Sequence, residues 1–149
     1  MIKNIKPFKQ SRGYCGPASL KIILSYFGIN KSEKELAKLT KTSRDKGCKE
    51  ENIVKVARKL GLKGKIKQNS SIKEIKSLIA KDIPLIVNWF SPEEGGHYSV
   101  VVGFGRNQII IVDPHFGQIR RHNIKWFEER WFDVFDDKLF LRRIIIIYK

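Results

Sequence analysis

Cysteine is scarce in this chain, which carries only Cys15 and Cys48 in 149 residues. Two thiols with no Cys-x-x-Cys pair build neither a disulfide framework nor a zinc ribbon. Long apolar runs are missing too. The longest, such as Ile144 to Tyr148, are far too short to cross a bilayer. The Lys-rich stretch from Met1 to Gln10 lacks the apolar centre of a signal peptide. These absences predict an intracellular, cytoplasmic protein with no membrane span. No internal repeat, low-complexity segment or linker divides the chain. With 42% hydrophobic residues, 1–149 reads as a single domain able to bury its own core.

Acidic residues are also in short supply, and the deficit is uneven. The formal net charge is +15, and residues 1–75 hold 19 Lys/Arg against 6 Asp/Glu, whereas residues 76–149 hold 11 against 9. A field of this sign attracts nucleic acid, anionic membrane surface or acidic peptide. The basic residues are scattered singly and in pairs, however, with no Arg-rich block and no recognition-helix signature. Lysines that merely solvate helix faces produce the same count.

The apolar pattern predicts helices first and strands second. Residues 16–27 form a helix with Pro17 in its first turn and Gly28 as its stop. Only Ser19, Lys21 and Ser25 are polar beyond that turn, so the helix is buried on most sides. Ser32 and Ser71 each stand three residues before a Glu, opening two amphipathic helices with capping-box spacing. Ile53, Val54, Ala57 and Leu60 mark another, stopped by Gly61. Strands are expected at 85–90, 97–104, 108–112 and 144–148, with a turn at Gly105-Arg106-Asn107 and a short helix at 126–131. The fold class is therefore α+β, with a buried N-terminal helix packed on an antiparallel sheet.

Cys15 lies at the start of the buried helix, where the backbone dipole and free N–H groups favour the reactive anion of a thiol. His97 heads an apolar strand and Asp113 closes the next. Eight residues run from His97 to Gly105 and eight from Gly105 to Asp113, which predicts both at one open end of a hairpin, nearly opposite each other. Asp113 would then fix the tautomer of an imidazole acting as base. Gln10 supplies a neutral amide that, with the Cys15 backbone N–H, makes a two-donor oxyanion hole. Thiol, base, orienting acid and oxyanion donor form the set required for acyl transfer by a cysteine.

Gln10 with Cys15-Gly16-Pro17-Ala18-Ser19-Leu20, then His97 heading its strand, then Val112-Asp113-Pro114, resembles the bacteriocin-processing, double-glycine leader peptidases in their stand-alone branch. The best-known members have an acidic residue just before the cysteine, where this chain has Tyr14. The resemblance implies a papain-like cysteine peptidase fold, with Cys15 as nucleophile and His97 as general base and acid. It further implies Asp113 as the orienting residue, Gln10 as oxyanion donor, and no metal or organic cofactor. The expected partner is a flexible peptide, drawn in by the basic half if it is acidic and cut after two small residues. Cys48 reads as a structural thiol near the cleft. His115 and His122 read as surface residues of a loop and a strand, and Trp126, Phe127, Trp131 and Phe132 as packing of the last helix. Two other functions fit parts of the pattern. One is a papain-like module that grips a peptide without cutting it, and the other is a basic nucleic-acid-associated protein.

Overall fold

The computed structural model describes residues 1–149. In chain order the elements are α1 (Cys15–Tyr26), α2 (Glu33–Leu39), α3 (Glu50–Lys59), β1 (Lys63–Lys67), α4 (Ile72–Ala80), β2 (Leu85–Ser91), β3 (Gly95–Gly105), β4 (Gln108–Asp113), β5 (Gln118–Asn123), α5 (Ile124–Glu129), β6 (Phe132–Phe135), β7 (Lys138–Leu141) and β8 (Ile144–Tyr148). Six strands form one antiparallel sheet in the order β1-β8-β2-β3-β4-β5, and β6 and β7 form a separate hairpin. One sheet face carries Ile86, Tyr98, Val100, Val112 and Ile145 against α1 and α3. The other carries Val87, Trp89, Val101, Ile111 and Ile144 against α4 and α5. Buried on both faces, the central strands show continuous apolar runs rather than alternation.

The helix signals act where the sequence puts them. Ser32 and Ser71 accept from the backbone N–H groups of Glu35 and Glu74, each at 3.1 Å. Gly28, at φ +80°, takes the left-handed turn that ends α1. The α1 residues Gly16 to Leu20 and Ile22 to Leu24 are all buried.

The structure departs from the sequence reading in four places. The sheet has two strands the sequence did not announce, and they are its edges. Lys63, Lys65 and Lys67 occupy β1, and Arg120 and Arg121 occupy β5. Charge protects an exposed strand edge from pairing with another chain, and the same charge erases the apolar alternation that would reveal a strand. The small β6–β7 hairpin, also unannounced, carries exposed Val134, Leu139 and Leu141. The last helix begins two residues earlier than expected because Asn123, not the aromatic pair, caps it, accepting from Trp126 N–H at 3.1 Å. Trp131 and Phe132 therefore lie beyond that helix.

Register is the fourth departure. Gly105 pairs with Gln108, so the β3–β4 turn is centred on Arg106-Asn107, not on Gly105. Continued without interruption, that register would put His97 and Asp113 on opposite faces, since a one-residue offset inverts a strand. A bulge between Val101 and Gly103 restores the parity. Val101 pairs with Ile111 and Val100 with Val112, so Asp113 stands level with Ser99, two residues from His97 on the same face. The pair meets diagonally rather than directly across.

Arg143, entering β8, reaches back across the molecule to Glu50 at the start of α3, with Nη1 donating to Oε1 at 2.8 Å. Glu50 is only 5% exposed, and burial raises its pKa against the opposing pull of Arg143. Arg143→Ala should therefore destabilise the fold by about 3–5 kcal/mol, by stranding a buried carboxylate. Adding Glu50→Gln should recover part of that loss in denaturant titrations. Full additivity of the two changes would show that the pair is not coupled.

Candidate active site

Three segments converge at the open end of β3 and β4. The first is the extended stretch before α1. Its Gln10 N–H donates to Pro114 C=O at 2.8 Å, tying Gln10 to the residue after Asp113. Ser11 fixes the other side, donating from N and Oγ to the Glu33 carboxylate at 2.7 and 2.6 Å. Cys15 follows as the first residue of α1, half-buried, with no side chain capping the helix. Gly16 lets the segment pass close to Cys48, since a Cβ there would lie 2.6 Å from the Cys48 Cβ.

His97 is 1% exposed, and Trp89 lies beside it with ring centres 6.1 Å apart. Its Nε2 is 2.7 Å from Asp113 Oδ1. Asp113 is itself buried, and the same oxygen accepts the backbone N–H of His115 at 3.0 Å. With Nε2 held, Nδ1 faces the Glu94 carboxylate. Cys15 Sγ, a His97 ring nitrogen and a Glu94 carboxylate oxygen all lie within 4.8 Å of one another. Burial disfavours the charged imidazole, but Asp113, Cys15 and Glu94 outweigh it and hold the His97 pKa well above its usual value.

The structure thus gathers Gln10, Cys15, His97 and Asp113, all four residues expected from the sequence. It adds two that the sequence reading missed. Glu94, in the turn between β2 and β3, places Oε2 against His97 Nδ1, while Oε1 accepts from Gln10 Nε2 at 2.9 Å. Burial alone would raise the Glu94 pKa, but His97 and His115 reverse this and lower it, so the carboxylate stays charged. His115, expected on the surface, is half-buried with Nδ1 3.3 Å from Glu94 Oε1. Its place two residues after Asp113 was the available signal. His122 does not join them and stacks on Trp126 at 4.8 Å.

A cleft of about 620 Å³ opens beside Cys15, lined among others by Gly13, Asn88, Tyr98, Asp133 and Arg143. Cys48 also borders it, but burial pushes its thiol up to about 11. Tyr14, in the position before the thiol, packs its ring under the Arg44 guanidinium at 4.1 Å.

This α+β arrangement, with a thiol-bearing buried helix laid on an antiparallel sheet, is that of the papain-like peptidase domains. The chain belongs to the Peptidase C39-like family, whose sequence profile matches residues 2–134. It is 30% identical over 119 residues to the transport/processing ATP-binding protein ComA of Streptococcus pneumoniae, covering 78% of this chain and 16% of that protein. The chain therefore spans about a sixth of the length of that relative. Among solved structures, the peptidase domain of Streptococcus ComA superposes with a TM-score of 0.80 at 26% identity, covering 97% of this chain and 98% of that one. A double glycine motif protease from an AMS/PCAT transporter, in complex with its leader peptide, shares the fold with a TM-score of 0.73 at 24% identity, covering 96% of this chain and 89% of that one. No helix of the chain is long and apolar enough to cross a membrane.

Two measurements check the site. Iodoacetamide at near-neutral pH should label Cys15 well ahead of Cys48, whose buried thiol is almost wholly protonated there. Equal labelling would contradict the contrast in environment. Secondly, a raised histidine pKa in the folded state stabilises fully below the unfolded value of about 6.5 and loses its effect as pH rises through the folded value. Asp113→Asn should thus lower Tm most between about pH 5 and 6.5, and the difference from wild type should shrink in alkaline buffer. A constant or growing difference would refute the charged His97–Asp113 pair.

Proposed function

We propose that this chain is a cysteine peptidase that cleaves flexible peptides. One observation carries the reading: a buried imidazole clamped at Nε2 by Asp113 lies within 4.8 Å of a thiol at a helix start. Cys15 attacks the scissile carbonyl carbon, and the carbonyl π electrons move to oxygen. Gln10 Nε2 and the Cys15 backbone N–H donate to that oxyanion. His97 gives its proton to the departing amine, leaving a thioester on Cys15. His97 then takes a proton from water, hydroxide adds to the thioester, and the acid product leaves as the thiol re-forms.

Glu94 stands in this path. Its carboxylate accepts the Gln10 amide in the resting protein, as an oxyanion would, so an incoming peptide displaces it. Its position in a turn allows that without moving the sheet. The same contact is the observation that favours the other reading, a domain that binds peptide and never frees Gln10 for chemistry. Turnover separates the two.

Likeness to a protease bound to its leader peptide supports a leader-like substrate cut after paired glycines. The cleft beside Cys15 suits an extended chain rather than a folded one. Its rim carries both signs, Arg44 and Lys46 beside Asp45 and Glu51, so the attraction of acidic peptides comes from the basic N-terminal half as a whole. Raising salt should accordingly raise KM for acidic peptides and leave neutral ones unaffected.

Gln10→Ala should lower kcat by roughly ten- to a thousand-fold while Cys15 alkylation stays fast, because the amide acts on the tetrahedral state. Cys15→Ala should abolish cleavage of a Gly-Gly leader peptide. Cleavage that persists in Cys15→Ala, or a Gln10→Ala variant that turns over like wild type, would overturn the assignment.

A further inference from the structure

The cluster around the thiol has the makings of a metal site. Cys15, His97 and Glu94 present sulfur, nitrogen and oxygen within 4.8 Å of one another. A tetrahedral zinc ion with bonds of about 2.0–2.3 Å needs donors only about 3–4 Å apart. His97 Nδ1 and Glu94 Oε2 are already in contact, so an ion between them asks for a side-chain adjustment of Glu94, whose turn leaves it about a fifth exposed.

Two further observations point inward. His97 Nδ1 and Glu94 Oε2 are both buried and face each other as an ion pair. Their outer atoms are fully engaged. Asp113 holds His97 Nε2 at 2.7 Å, and Gln10 and His115 flank Glu94 Oε1 at 2.9 and 3.3 Å. Ligands oriented from behind by a second set of hydrogen bonds are how proteins build metal sites, and a carboxylate behind the histidine is one such support.

We propose that Cys15, His97 and Glu94 bind one thiophilic divalent cation, zinc being the best match, with water in the fourth position. The cation replaces the protons on the thiol and on Nδ1, which pass to solvent. Bound this way it takes the thiol out of reach of any carbonyl and reversibly silences the site. It is an inhibitor and not a cofactor. Ordinary cysteine peptidases need only a thiol and an imidazole; the third ligand is what Glu94 adds here.

The test uses the full-length chain, reduced and metal-free, titrated with Co²⁺ and, by competition with a chromophoric chelator, with Zn²⁺. One equivalent of Co²⁺ should give a sulfur-to-metal charge-transfer band and the visible bands of a four-coordinate ion. Cys48→Ala should keep the charge-transfer band and Cys15→Ala should lose it. Asp113→Asn should weaken Zn²⁺ binding by about 10- to 100-fold, and Glu94→Ala by at least as much. Near-ultraviolet circular dichroism establishes that each variant is folded. No charge-transfer band in wild type, a band that survives Cys15→Ala, or unchanged affinity in folded Glu94→Ala would each overturn the proposal. None of these readouts requires turnover. A chain that binds cobalt this way yet, when metal-free and reduced, cuts no peptide would refute the peptidase reading and leave the metal site standing.

Discussion

The site is organised around one imidazole whose charged form its neighbours favour although it is buried. His97 sits against Trp89 with almost no solvent contact, a place that by itself would strip its proton. Asp113 on one nitrogen and the Cys15 and Glu94 side on the other reverse that preference. A cation so placed supports a thiolate next to it, and it can later release its proton to a leaving group. The surrounding fold is arranged to hold this balance. The bulge in β3 brings Asp113 to the same face as His97. The Gln10–Pro114 backbone bond brings Gln10, the proposed oxyanion donor, to the end of β4, and the buried α1 fixes the thiol.

Glu94 gives the site its individual character. A papain-like pair needs no third acid near the thiol, and a carboxylate there competes with substrate for Gln10. Its presence makes the resting protein a closed circuit of charge, Gln10 to Glu94 to His97 to Asp113, that a substrate or a cation must open. Both proposals therefore turn on the same side chain, as an occupant to be displaced in one and as a ligand in the other.

Much of this was legible in the amino-acid sequence because its signals are local. Ser32, Ser71, Gly28 and Pro17 each act within one helical turn of their own position, and the buried α1 shows directly in its lack of polar residues. The proximity of His97 and Asp113 was legible through hairpin spacing, although by a route with two compensating errors. The turn lies later than the glycine suggested, and a bulge that leaves no mark in the residue pattern corrects the parity. What stayed hidden is non-local or defensive. Charged edge strands look like loops, and Glu94 and His115 look like surface residues until the hairpin folds their backbones towards Cys15.

The central claim is that Cys15 carries an acyl group during peptide cleavage. Acid quenching of the chain during turnover of a Gly-Gly peptide thioester, followed by intact-mass and fragment mass spectrometry, tests it most directly. The expected result is a mass increase equal to the acyl half of the peptide, mapped to Cys15 and absent after hydroxylamine treatment. Product formation at full rate with no adduct on Cys15, or an adduct on Cys48, would contradict it.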